Sequence, residues 1–393
     1  MIIFPELENY ESAPWEKSFG SRVKAFYNIK RQNKKAALLL YQAADTSTFR
    51  YRCYNVVQAL EDSKEWGAMY FFEKEYAQVE ELLDKADILV LTRVKWTLGL
   101  DWLVSKAKAK GIPVLFDVDD RVFDLNWLKT LTNTLAVDLD NETAYDFWFA
   151  YIGRIQQAAA LAEGFITTND YLAKALSDKF GKTSQIIQNS LNREQLDVSQ
   201  WLCEKKASAV QDGHFTIGYF SGTPSHINDF LEVYKELLSL LKKYPNIRLS
   251  VVGFMEFPPE MQPFISKGQI TFTPLVDFVE LQRLIASVDV NIVPLVNNTF
   301  TNCKSELKFF EAAVVDTVTV ATPIHSYAAA IKDGQNGFLC EPGQWYSVLE
   351  NLYLKKFDTK EICRCAREDT IQTYCGEMFL KRIENSYNFF AKK

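Results

Sequence analysis

The feature that most constrains this chain is an alternation of short apolar runs with longer amphipathic stretches, which breaks once and then starts again. AALLLY (36–41) reads as a strand. A helix follows over about 49–61, then AMYFF (68–72), a helix near 75–85, and DILVL (87–91). WTLGLDWLVSKAKAKG (96–111) is helical, with Gly111 and Pro113 as stop signals. IPVLFDV (112–118) is the next strand. A long helical stretch to about 162 precedes GFITT (164–168), a helix from about 170 and SQIIQ (184–188). Strands this continuously apolar are covered on both faces. Their alternation with helices builds βαβ units and parallel sheets.

Residues 193–214 are polar and lack a strand signal, which reads as a connection between domains. Alternation restarts at FTIGYF (215–220), with a periodic helix over 229–244 and a strand at 247–253. A helix at 279–288, a strand at 288–294, a helix at 304–314 and a strand at 317–322 follow, and helices run to the end. The expected fold is α/β, with two Rossmann-like domains whose parallel sheets face each other across a cleft. The divisions are a basic helical extension (1–35), a first Rossmann-like domain (36–200), a linker (201–214), a second Rossmann-like domain (215–375) and a closing amphipathic helix (376–393). A chain of 393 residues exceeds what one core usually spans. Ligands of such sheets bind beyond the carboxyl ends of the strands.

Composition narrows the function. A net charge of −6 argues against a general nucleic-acid binder. The seven cysteines are scattered, with neither disulfide nor zinc spacing, and read as reduced thiols. The start, MIIFPELENYE, lacks the pattern of a signal peptide, and no uncharged apolar run reaches the roughly 18–20 residues of a membrane span. The expected location is cytoplasmic, or peripheral at the inner face of a membrane. Residues 14–35 carry seven basic residues and one acid, with Trp15, Phe19, Val23 and Phe26 at helical spacing. Such a helix suits either an anionic membrane surface or packing on the first domain.

The most informative stretch is PLVNNTFTNCKSELKFFEAAVVDTVTVATP (294–323). A strand ends at Pro294, a polar loop follows, and a helix is expected from Lys304 or Ser305, with Ser305 as its cap. Amides at a helix start suit a diphosphate. Lys304 and Lys308, four apart, would neutralise phosphate charge, and a carboxylate at Glu311 suits a pair of hydroxyls. The same residues also fit a solvated helix face with an ion pair. Asp117, Asp119 and Asp120 end the strand IPVLFDV; like charges resist joint burial, so they are expected to face the cleft.

The Pro294-Leu295, Ser305, Lys308, Glu311 and Ala321 series resembles the donor-binding region of GT-B glycosyltransferases of the retaining family 4, in the bacterial surface-polysaccharide group. The resemblance implies that Glu311 binds ribose and that the amides of Ser305, Glu306 and Leu307 hold pyrophosphate. Cys303 stands near the donor sugar where the family often has a Glu, and Asp316 where a Gly is usual. YFSGTPSHINDF (219–230) resembles the phosphate-facing loop, with Gly222 and Thr223 toward the donor. Arg50 and Arg52 match an Arg-x-Arg after the first strand, and Asn189 an Asn-bearing loop; these three are expected to contact acceptor or phosphate, with an ion pair to the Asp cluster as the alternative for the arginines. The implied catalytic group is Lys308, Lys304, Asp117, Asp119 and Asp120, with no cofactor and no metal. The implied reaction transfers a sugar from a UDP-, TDP- or GDP-linked donor to a glycan or lipid-linked acceptor, by front-face attack in which the leaving phosphate deprotonates the acceptor. A catalytically silent GT-B subunit and a nucleotide-sugar epimerase are the other readings. The three histidines form no triad pattern, and His226 lies near the phosphate loop.

Overall fold

The computed structural model describes all residues except 1, 6, 8, 9, 136, 139, 210, 211, 223–226, 392 and 393, and it describes 207, 208 and 227 by backbone alone. Two six-stranded parallel sheets organise the chain. The first holds β1 (Lys35–Tyr41), β2 (Trp66–Phe72), β3 (Ile88–Thr92), β4 (Val114–Val118), β5 (Gly164–Thr167) and β6 (Ser184–Ile186), in the order β2-β1-β3-β4-β5-β6. The second holds β7 (Phe215–Ser221), β8 (Ile247–Gly253), β9 (Ile270–Thr273), β10 (Val290–Val293), β11 (Val318–Ala321) and β12 (Phe338–Leu339), in the order β12-β11-β10-β7-β8-β9. Strand order reverses between β1 and β3, and again between β7 and β10. These are the crevices where open α/β sheets hold ligands.

The apolar runs become central strands because both faces are covered. Leu38, Leu89, Leu115 and Phe116 have no exposed surface, and Val251 and Ile292 match them in the second sheet. Each such side chain contributes about 1.5–3 kcal/mol by leaving water. The two edge strands β9 and β12 escape the sequence reading. ITFT alternates and is half exposed, and β12 is two residues long, so neither forms an apolar run.

The polar segment after the first sheet is structured. Residues Arg193–Ser208 form a helix that runs through the expected boundary at residue 200, capped by the Asn192 side chain on the Gln195 amide. It packs along the helix Phe278–Ser287 of the second domain.

The amino-terminal helix, Phe19–Arg31, lies against β2. Trp15 and Phe26 are buried in the first core, and Phe19 and Val23 pack beside them. Arg22 makes two hydrogen bonds of 2.8 and 2.6 Å to the Glu75 carboxylate beneath the helix. Of the two readings of residues 14–35, the structure shows packing on the first domain, where the apolar face of the helix meets the protein's own sheet. Among the described residues no helix is long and apolar enough to cross a membrane. The last helix, Gly376–Ala391, also covers the first domain, with Tyr387 5.3 Å from Trp66 and Phe390 over Gly164.

Asp316 has φ +52°, the left-handed region that usually favours glycine. Lys206, in the connecting helix, donates 2.7 Å to its carbonyl. The turn Asp333–Gly337 is a structural bridge with Gly334 at φ +73°.

Candidate active site

The segment after β10 reaches its helix later than the sequence suggests. Thr301–Cys303 is a single 3-10 turn, Lys304 is extended (φ −72°, ψ 152°), and the helix spans Leu307–Ala313 with Glu306 at its cap position. Ser305 therefore caps nothing, and Lys304 and Lys308 do not share a helix face. They still converge. A cavity of about 130 Å³ is lined by Lys304, Ser305, Leu307 and Lys308, by Val293 and Leu295 at the end of β10, and by Tyr327. Asp119, Asp120 and Asn189 of the first domain close it from the other side.

Two ammonium groups and two carboxylates line this cavity, yet the ammonium groups are not closely paired. Among the described residues neither ammonium has an ion-pair or hydrogen-bond partner. Lys304 Nζ lies 5.0 Å from the Phe300 ring centre and Lys308 Nζ 5.7 Å from that of Tyr219. Burial pushes the Lys308 ammonium down to about 8; Asp229 and Glu311 pull it upward, and Lys304 presses it lower. A cation held this reluctantly gains from an arriving anion. Burial raises the Asp120 carboxyl against the pull of Lys304 and Arg93.

Asp119 is positioned by two donors, Thr48 Oγ1 at 3.1 Å and Arg93 Nη1 at 3.2 Å. Both donors come from the β1/β3 reversal. Arg93 takes φ +46° immediately after β3, which turns its side chain back to the cleft. The sequence reading missed Arg93, Thr48 and Tyr327. It also missed Asn169, whose amide bridges the domains to the carbonyls of Cys303 and Lys304 at 3.2 and 3.3 Å. A polar residue directly after an apolar strand was the signal available for Arg93 and Asn169.

Asp117 and Arg52 require correction. Asp117 is buried inside β4 and does not line the cavity. Arg52 grips it with bonds of 2.8 and 3.1 Å and also donates to the Ile187 carbonyl and to Asn189 Oδ1. The guanidinium is fully buried and contacts protein alone, so the structural ion pair prevails for Arg52. Asn189 serves both this pair and the cavity wall.

Glu311 also departs from expectation. Its carboxylate is buried and accepts from the Tyr51 hydroxyl, from Arg50 Nη2 at 3.3 Å and from Gln195 Nε2 at 3.3 Å. All three donors converge on Oε1, so among the described residues Oε2 has no hydrogen-bond donor and keeps acceptor capacity. Arg50 is stacked on the rings of Tyr51 and Phe278, 4.1 and 4.9 Å from their centres, and does not line the cavity. Residues Arg50–Tyr54 are wound as a π-helix, a form that concentrates at functional sites. Cys303 is buried, donating to the Thr299 carbonyl, and faces no ligand space. Glu306 faces a second cavity of about 290 Å³ with Asp170 and His325. His325 Nε2 and Asp170 Oδ1 pair there at 2.5 Å. Gly222 is exposed at the end of β7, and Thr223 and His226 lie outside the described residues. Among the described residues no group of three His, Cys, Asp or Glu side chains is placed to hold a metal ion.

Two parallel sheets with their reversal points across one cleft define the GT-B architecture. Solved structures agree at the level of fold. A glycosyltransferase from Rickettsia africae aligns with TM-score 0.61 and 14% identity, over 92% of this chain and 100% of that one. Anabaena HepE in complex with UDP aligns at 0.56 and 13%, over 90% and 100%. The sucrose-phosphate synthase of Thermosynechococcus elongatus aligns at 0.56 and 13%, over 92% and 100%. Residues 214–353, most of the second domain, match the model of the family described as Glycosyl transferases group 1. No curated protein matches the chain by sequence.

Proposed function

We propose that the protein is a nucleotide-sugar-dependent glycosyltransferase that moves a hexosyl group to a glycan or lipid-linked acceptor. The observation that carries this reading is the pair of unpartnered ammonium groups, Lys304 and Lys308, at the β7/β10 reversal, opposite Asp119 and Asp120. Anabaena HepE, which shares the fold, is described with UDP and with UDP-glucose, and this favours a uridine donor over the TDP- and GDP-linked alternatives.

In this reading the lysines hold the diphosphate and stabilise the charge that grows on it as the sugar departs. They supply the positive charge that would otherwise call for a metal ion. Asp119, held by Thr48 and Arg93, orients an acceptor hydroxyl. With transfer from the front face, the leaving phosphate takes the acceptor proton and the anomeric configuration is retained. The protein contributes orientation and electrostatics. The acceptors in view are those of bacterial surface-polysaccharide assembly, met in the cytoplasm or at the inner membrane face.

A thermal-shift panel of UDP, TDP, GDP and their sugars tests the reading. A ligand at 100 times its dissociation constant stabilises the native state by about 2.7 kcal/mol. Lys308→Ala should abolish that shift. A panel without any stabilising nucleotide refutes the proposal. The second reading, a silent GT-B subunit, is favoured by the engagement of Glu311 with Arg50, Tyr51 and Gln195.

A further inference from the structure

The helix Glu142–Leu161 is longer than the strand it serves. Its 20 residues span about 30 Å, whereas the four residues of β5 that follow span about 13 Å. The carboxyl-terminal half is anchored by Ile152, Ile155, Ala158 and Ala159 in the first core. The amino-terminal half overhangs the carboxyl edge of the sheet, on the side of the cleft. It is aromatic on several faces yet uncovered: Phe147 is 60% exposed, Phe149 46% and Tyr145 40%. A helix apolar all round is normally buried, and exposed apolar patches mark interaction sites.

The rings are ordered. Tyr145 stacks on Phe149 at 5.9 Å and Phe147 on Tyr151 at 6.1 Å, with interplanar angles of 21° and 18°. The second row leads to the active site. Arg154 and Trp96 exchange two hydrogen bonds of 2.9 Å, which clamp the helix to the segment after β3. Lys95 lies 5.2 Å from the Tyr151 ring centre, and Arg93 of the same segment holds Asp119 in the cavity.

We propose that this overhanging aromatic row is the acceptor platform, and that it takes neutral hexose rings. The inference rests on the glycosyltransferase reading above. A pyranose offers one face of C–H bonds, which stacks on an aromatic ring, and a rim of hydroxyls, which donate to carboxylates. Both partners are present, because Asp138, Asp140, Glu142 and Asp146 are exposed around the start of the helix. The same four acids disfavour an anionic bilayer, whose surface potential attracts basic segments.

The test uses the full chain and a Phe147→Ala/Phe149→Ala variant; both side chains are largely exposed, so the fold is retained. Binding of maltotetraose, cellotetraose and chitotetraose is followed by saturation-transfer NMR and calorimetry with UDP present. At least one tetrasaccharide should bind the wild type and lose tenfold or more in affinity in the variant, while the UDP thermal shift persists. Equal tetrasaccharide affinity in both proteins overturns the platform. So does wild-type binding to phosphatidylglycerol vesicles but to no tetrasaccharide. Loss of sugar binding in the variant, with no nucleotide binding by the wild type, keeps the carbohydrate site and removes the transferase reading.

Discussion

Raising the pH from 7 to 9 should weaken nucleoside diphosphate binding through Lys308. In the free protein burial lowers this ammonium to about 8, so it is charged at pH 7, half charged at pH 8 and mostly neutral at pH 9. The bound diphosphate favours the charged form and raises the group again, so binding takes up a proton wherever the free protein has lost one. If only the charged form binds, affinity falls about tenfold between pH 7 and pH 9, which is about 1.4 kcal/mol. Proton uptake at pH 8 is then about half a proton per UDP bound. Calorimetry in two buffers of different ionisation enthalpy measures both quantities. Lys308→Arg keeps its charge throughout this range and should flatten the profile. Titration that belongs to the ligand appears in both proteins and cancels in their ratio. A wild-type affinity unchanged from pH 7 to 9, or an equal slope in Lys308→Arg, refutes the placement of the diphosphate beside this side chain.

Arg52→Ala leaves the Asp117 carboxylate buried without its cation and should cost about 3–5 kcal/mol in urea unfolding; Arg52→Met with Asp117→Leu should recover most of it, and a single variant as stable as the wild type would show that the pair is dispensable. Gly253→Ala should fail to fold or unfold far earlier on heating, because φ is +103° and the added carbon would lie 1.8 Å from the Ser221 carbonyl oxygen; unchanged melting would disprove that close approach. Tyr51→Phe removes one of the three donors on Glu311. If UDP must compete for that carboxylate, its affinity should rise about fivefold, for about 1 kcal/mol of hydrogen bond removed; an unchanged dissociation constant places the pentose elsewhere.

Fold and site differ in how far the residues alone disclose them. Nine strands announce themselves because a strand covered on both faces is an apolar run, and the three-residue β6 is reached through SQIIQ (184–188). The short edges β9 and β12 carry no such run. At the site, Asp119 and Asp120 are legible from their place past a strand end, and Lys304 and Lys308 from an expected helix start; the helix begins later, yet one cavity gathers all four. Asp117 was misplaced because it lies inside β4 and its Arg52 partner comes from a distant element, whereas Asp119 and Asp120 lie past the strand's end. Arg93 stayed hidden because its role depends on a backbone turn at φ +46° and on a neighbour from β1, and neither is written in local sequence.

Glu311 is where the two domains and the two functional readings meet. Arg50 and Tyr51 reach it from the first domain and Gln195 from the connecting helix, so one carboxylate ties together three parts of the chain. A buried carboxylate with three donors costs far more to strip bare than to leave in place, and here all three sit on Oε1, so a nucleotide that claims that oxygen has to replace a donor there. Tyr51 offers a single hydroxyl on a rigid ring, and a pentose offers two hydroxyls, so the exchange is close to balanced at this atom. The deciding energy then falls to the ammonium groups of Lys304 and Lys308, which gain a partner only when a diphosphate arrives. Withdrawal of Tyr51 from Glu311 would also loosen the grip between the domains, which couples occupancy of the donor site to the width of the cleft. Two lysines without a hydrogen-bonded partner among the described residues, set opposite two carboxylates, favour the transferase reading over the silent subunit, since burial holds the Lys308 ammonium reluctantly until an anion is present.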